Sequence, residues 1–475
     1  MQSDELRNVN NLTYELPTCP DVCANATTNV FNFNPNSYEN TTGGDVMQVE
    51  FAEGMNYIDP QESFIRLKLN INYPGGPSVA NRYAFGSLYP FSERRLGRTS
   101  VNSGESVMNL ISSVELVTKS GETLFKELHK NQMQTVREYK INKSRKNYLT
   151  MMGGVNDTGN IDESYYPYYL TNNNCTFYIP LSEISPFFNG QYIPYKLLSG
   201  AVLRLTLAPI FTAVLSYKEE EVLFESLPKD PATTATLSNM ALILSEKELY
   251  PEIKDRINKQ INSPSGLQYA YYTNYNISYK FQPSSSIDNY SIPINLSAGK
   301  IKYLAIKPIP AVLNDQNLFT SARWSDFQKS QVLKFELPFK IKIRLGNDVL
   351  STYDVSTIPE MYEQTIKALN NISFSNCEDV DTERCINKKA PSCVGGAGYA
   401  YRDDAVLADY GGLIFAFDFE RMQAMGVSGL STNQERLLSI DVSDYRSDVV
   451  PEWYFNIQYL VVATIYSDGA IAVNK

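Results

Sequence analysis

Residues Ser113–Tyr139, SVELVTKSGETLFKELHKNQMQTVREY, decide how the rest of the chain is parsed. Val114 and Leu116 alternate with polar neighbours, the pattern of a half-buried strand. Ser120-Gly121 then marks a tight turn, because glycine tolerates the positive φ that such turns need. Beyond it the period changes. Leu124, Phe125, Leu128 and Val136 fall on one helical face with Met133 at its edge, so a helix is expected after Gly121. The same order returns later: Phe339–Leu345 (FKIKIRL) alternates as a strand, Gly346-Asn347-Asp348 turns, and Pro359–Leu369 reads as a short helix. The two turn glycines are about 225 residues apart, the signature of a large unit used twice.

The composition supports this parsing. With 475 residues the chain is long enough for two or three full cores, and 43% hydrophobic with 20% charged residues is ordinary for a globular protein. Thirty-three Tyr and 22 Phe against 2 Trp suit the pleated surface of sheets. A net charge of −10 argues against a protein that coats nucleic acid, which needs Lys and Arg against phosphate. No apolar run approaches the ~20 residues of a membrane-spanning helix. The polar start MQSDELRNVNNLTYEL does not read as a secretory signal, and six scattered cysteines do not read as a disulfide framework, so folding in a reducing compartment is expected.

Working outward, residues 1–45 are rich in Asn, Thr and Pro without periodicity and read as an extended arm. Strands are expected at MQVEFAEG (47–54) and at SFIRLKLNINY (63–73), where Ile65, Leu67, Leu69 and Ile71 alternate. Residues 74–103 read as a long loop. FYIPLSEISPFF (177–188) reads as a strand entering a helical turn, AVLRLTLAP (201–209) as a strand, and NMALIL (239–244) as the last strand of the first half. Pro251–Ile261 reads as a helix, with proline suited to its first turn and Ile253, Ile257 and Ile261 four apart, connecting the halves. YAYYTNYNISYKF (269–281), KIKYLAIKPIP (300–310), GGLIFAFDFERM (411–422) and ERLLSIDV (435–442) continue as strands. The chain closes on WYFNIQYLVVATIY, a Ser467-Asp468-Gly469 turn and a last short strand. Short strands, long loops and few helices argue for antiparallel sandwiches of jelly-roll type, two of them.

Catalytic chemistry is scarce. His129 is the single histidine, which rules out multi-histidine metal sites, and it reads as structural. Cys19 and Cys23, and Cys377, Cys385 and Cys393, lack companion ligands at metal-site spacing. Asp403-Asp404 and Glu219–Glu221 read as solvated charges, the basic run Lys140–Lys146 as a solvated loop, and Gly395–Gly398 as a glycine cluster without the context of a phosphate loop. The tyrosines at 165, 166, 168 and 169 either pack their own loop or bind sugar or protein. Sequons at Asn25, Asn174 and Asn276 are expected from composition, without glycans. No catalytic, cofactor-binding or metal residue is expected, nor any cofactor.

Three stretches carry a resemblance. They are SSVELVTKSGETLFKEL (112–128) with its echo FKIKIRLGNDVL (339–350), IPLSEISPFFNGQYIPYKLLSGAVLRLTL (179–207), and YFNIQYLVVATIYSDGAIAV (454–473). Together they resemble the double jelly-roll major capsid proteins of icosahedral double-stranded DNA viruses, the adenovirus hexon lineage, in the compact style of virophage and Polinton-like members. The resemblance implies an all-β fold of two tandem eight-stranded antiparallel jelly rolls with a few short helices in loops. It implies a 1–45 arm, rolls at 46–248 and 267–475, and a linker at 249–266. It further implies a non-enzymatic subunit located in the virion and assembled inside the infected cell. Its partners would be two further copies in a trimeric, pseudo-hexagonal capsomer, neighbouring capsomers, and penton and minor capsid proteins, with no sequence-specific nucleic-acid binding. A scaffolding relative of the same fold and a sugar-binding two-sandwich protein are the alternative readings.

Overall fold

The computed structural model describes most of residues 23–474; the larger intervals outside it are 73–82, 134–173, 310–335, 369–414 and 420–428. Sixteen strands carry the architecture. In the first half they are β1 (Cys23–Asn32), β2 (Val46–Glu50), β3 (Tyr57–Asn72), β4 (Ile111–Val117), β5 (Thr123–Glu127), β6 (Asn174–Pro180), β7 (Val202–Leu207) and β8 (Thr234–Leu249). In the second half they are β9 (Leu267–Lys280), β10 (Asp288–Ile294), β11 (Ile301–Ile309), β12 (Glu336–Leu345), β13 (Asp348–Val349), β14 (Phe415–Asp418), β15 (Leu438–Tyr445) and β16 (Glu452–Ile465).

The first half pairs its strands as β1-β8-β3-β6 in one sheet and β2-β7-β4-β5 in the other. The second half pairs as β9-β16-β11-β14 and β10-β15-β12-β13. Adding eight to each strand number of the first half therefore reproduces the second, and every pairing is antiparallel. This strand order is the jelly roll, so the chain is a double jelly roll.

Alternation builds each core. Ile65, Leu67, Leu69 and Ile71 of β3 are buried and face inward, as do Leu203, Leu205 and Leu207 of β7. The register Leu203↔Leu116 and Leu205↔Val114 lines the apolar sets of β7 and β4 up on one face, and a slip of one residue would turn both sets to solvent. In the second half Leu345↔Leu438 and Ile343↔Ile440 do the same. Between the halves, Pro251–Ile261 is a helix with Pro251 in its first turn, as the sequence predicts. Ile261 is buried and Ile257 packs on the core, so its apolar stripe is the inward face.

Several expectations are corrected. The chain after Gly121 is a strand, not a helix: Thr123–Glu127 pairs with β4 through Leu116↔Phe125 and Glu115↔Lys126. Leu124 and Phe125 are both buried because β5 is covered on both faces, and two adjacent apolar residues with Leu128 mimic a helical stripe. Helical backbone begins only at Lys130. The second unit is likewise a hairpin, β12-β13 around Gly346, although Glu360, Gln364, Thr365, Lys367 and Ala368 farther on are helical as expected. Gly121 and Gly346 both take positive φ, +91° and +60°. Nor is the extended arm an arm from Cys23 onward. Cys23–Asn32 lies along β8 and completes the first sheet, because an edge strand needs only one partner and tolerates the polar run CANATTN. The loop expected over 74–103 also carries short strands at Tyr83–Phe85, Leu88–Glu93 and Arg98–Val101.

Candidate functional site

The most elaborated constellation in the molecule is the seam where the first roll meets the second. β5 is the edge of its sheet and β9 the edge of its own, and the two approach each other across the seam. The segment after β6 contributes a short helix, Leu181–Ile184, and a single 3-10 turn, Pro186–Phe188. Ser185 starts that turn by accepting a hydrogen bond from the Phe187 N–H, and Pro186 fits its first position. Phe187 and Phe188 are thereby driven inward, where Phe187 packs edge-on against Tyr271 at 4.7 Å, and also against Tyr269 and Phe125. Such offset aromatic contacts contribute about 0.5–1.5 kcal/mol each beyond area burial.

Beside the rings lies a buried charge. The Glu127 carboxylate, at the end of β5 and 0% exposed, accepts from Lys130 Nζ at 2.5 Å, Ser185 Oγ at 2.6 Å and Asn274 Nδ2 at 3.3 Å. Lys130 is itself buried. Asn274 belongs to the second roll, so the ion pair of the first roll is completed across the seam. A second cross-roll hydrogen bond runs from Tyr271 OH to the Leu124 carbonyl at 2.7 Å. Burial, and secondarily the Glu127 charge, pushes the Tyr459 phenol up to about 12; burial also holds Tyr269 and Tyr271 well above their ordinary value. Met133 extends the contact by packing with Tyr303, Ala305, Ala416 and Ala368 of the second roll.

His129 sits in this seam. Its φ is +50°, its ring packs 5.0 Å from Tyr454, and burial lowers its pKa. Asn276 is buried in β9 and accepts a hydrogen bond from Asn456 at 2.7 Å, which leaves no room for a glycan there; Asn25 is exposed. Cys19, Cys377, Cys385, Cys393, Lys140–Lys146, Tyr165–Tyr169, Glu219–Glu221, Gly395–Gly398 and Asp403-Asp404 lie outside the described residues. Among the described residues no cluster of His, Cys, Asp and Glu could hold a metal ion, and no helix is long and apolar enough to cross a membrane. Sequence reasoning missed Glu127 and Lys130. The signal available was an acid at an inward position of TLFKE followed three residues on by a lysine.

No protein-family model matches the chain, and no curated protein matches it by sequence. Solved structures match along nearly its whole length. PBCV-1 VP54, fitted into a cryo-EM reconstruction of the virophage Sputnik, superposes with a TM-score of 0.53 at 14% identity, over 95% of this chain and 97% of that one. A quasi-atomic model of the PBCV-1 virus capsid gives 0.53 at 13%, over 95% and 97%. The Faustovirus major capsid protein gives 0.54 at 8%, over 93% and 91%. At such identities the likeness is one of fold. It places the chain among double jelly rolls, two rolls in one polypeptide.

Proposed function

We propose that this chain is a major capsid protein, a subunit that trimerises into pseudo-hexagonal capsomers tiling an icosahedral shell. The observation that carries the reading is the strand-for-strand repeat of the jelly roll, held together by a buried seam and matched end to end by proteins that are themselves capsid subunits. Two equivalent rolls fused in one chain let three copies present six similar blocks, which is what a hexagonal tile requires. In this reading residues 23–249 are the first roll, Pro251–Ile261 links it to the second, and 267–474 are the second roll. The segment before Cys23 meets neighbouring capsomers or minor capsid proteins. The chain works by burying surface against its neighbours, with no catalysed reaction, and resides in the virion.

Quantitative mass spectrometry of purified mature particles tests the proposal. The chain is expected to be the most abundant particle protein. Its presence only in immature particles would instead identify a scaffolding protein of the same fold, and its absence from both would end the proposal.

A further inference from the structure

Three reactive groups converge at the buried end of β5. Glu127 Oε2 accepts from Lys130 Nζ at 2.5 Å and from Asn274 Nδ2 at 3.3 Å, so an amine and a carboxamide meet at one carboxylate oxygen. All three side chains are buried: Glu127 is 0% exposed, Lys130 2% and Asn274 5%. The other carboxylate oxygen, Oε1, accepts from Ser185 Oγ at 2.6 Å, which fixes the plane in which Oε2 is presented. Asn274 Oδ1 is buried without a hydrogen-bond partner among the described residues, so the amide is held through Nδ2. Nucleophile, acyl carbon and a carboxyl group touching both sides are the parts that an acyl transfer requires. Burial adds two conditions. Water is kept from competing with the amine, and a desolvated charge pair carries a cost that a neutral product sheds. Well-oriented groups held in place react as if at roughly 10⁵–10⁸ M.

We propose that Lys130 and Asn274 join in an intramolecular isopeptide bond, catalysed by Glu127, that ties the first roll covalently to the second. The Nζ–Cγ bond forms and the Cγ–Nδ2 bond breaks. Of the three protons on the Lys130 ammonium, one stays on the new amide nitrogen. A second passes through Glu127 Oε2 to Nδ2, which leaves as ammonia. The third remains on Glu127, which ends as a neutral acid. No oxidant, water or cofactor is consumed. Lys130 and Asn274 lie on different rolls and are brought together by folding, so the ion pair is the state of the freshly folded chain and the bond is the state that follows. The proposal rests on the seam geometry and is independent of the capsomer reading.

The test is mass spectrometry of the purified, folded full chain, sampled at intervals as it ages. The intact mass is expected to fall by one ammonia. Trypsin is then expected to release a branched peptide in which Lys130 is uncleaved and joined to the peptide that contains Asn274. An aged wild-type chain that yields these two peptides separately overturns the proposal, and so does a loss of ammonia without the branched peptide. This reading needs no variant, so it stands even if a substitution in the seam unfolds the chain. Glu127→Gln and Lys130→Arg, checked for folding by thermal unfolding, are expected to keep their full mass and give separate peptides. Asn274→Asp is expected to give a branched peptide of the wild-type mass, by loss of water in place of ammonia. A folded Glu127→Gln chain that links as fast as wild type overturns the catalytic role of Glu127.

Discussion

The two rolls share one topology and almost none of the residues that fill it. The first is packed chiefly by aliphatic side chains, with Ile65, Leu67, Leu116, Leu203, Leu205 and Leu242 among its buried set. The second is built around aromatics: Trp453 lies within 5.6 Å of Phe281, Tyr445 and Phe339, and its indole N–H donates to Tyr445 OH at 2.7 Å. The outer ion pairs are reversed as well. On the first roll the acid is on β4 and the base on β7, Glu115 with Arg204; on the second the base is on β12 and the acid on β15, Arg344 with Asp441. What the halves keep in common is inward alternation, register and turn position. The fold is thus set by pattern, and residue identity is free to drift so long as volume and complementarity are kept.

This contrast is open to attack in order of expected size. Trp453→Ala should destabilise by about 3–5 kcal/mol, measured by urea unfolding, because it removes a fully buried ring and the indole hydrogen bond to Tyr445 OH. Leu242→Ala in the corresponding strand of the first roll should cost less, about 2–4 kcal/mol. Equal losses would mean that the aromatic cluster is no more than volume.

The seam belongs to both rolls and is expected to be sensitive to an uncompensated charge. Glu127→Leu removes the carboxylate that pairs with the buried Lys130 ammonium and should cost about 3–5 kcal/mol, whereas Glu127→Leu with Lys130→Met should recover most of it. A double variant as unstable as the single one would show that the Ser185 and Asn274 contacts matter more than the ion pair.

Alkaline pH separates the rolls again. Burial raises Tyr269, Tyr271 and Tyr445 and pushes Tyr454 and Tyr459 up to about 12 in the second roll, against Tyr38, Tyr57 and Tyr195 in the first. A phenol whose folded pKa lies above its unfolded value of 10 stabilises fully below pH 10 and loses that contribution as pH rises toward about 12. Hydrogen exchange is therefore expected to show the second roll opening first across that window; the first roll opening ahead of it would contradict the assignment. Tyr271→Phe, which deletes the bond to the Leu124 carbonyl, should cost about 1 kcal/mol in the same unfolding assay. Reversing the exposed pair with Glu115→Arg and Arg204→Glu should change stability by less than about 1 kcal/mol.

Much of the fold was legible because its strands have one wet and one dry face. SFIRLKLNINY and AVLRLTLAP announce themselves by alternation, and Pro251 with three isoleucines four apart announces the one long helix among the described residues. The misread elements are those with an unusual environment. β5 has both faces covered, so Leu124-Phe125 broke the alternation and the stretch was expected to be helical. β1 is an exposed edge with Asn or Thr at half of its positions, and its apolar Val30 points outward, so nothing in its composition marks it as a strand. The seam was invisible for a related reason: Glu127 and Asn274 are 147 residues apart, and only the folded chain brings them together.

The most direct test of the account is the solution mass of the purified full chain by light scattering. The account predicts a stable species near three times 53.6 kDa. A chain that remains at 53.6 kDa at high concentration would contradict it, leaving a double jelly roll that does not build shells.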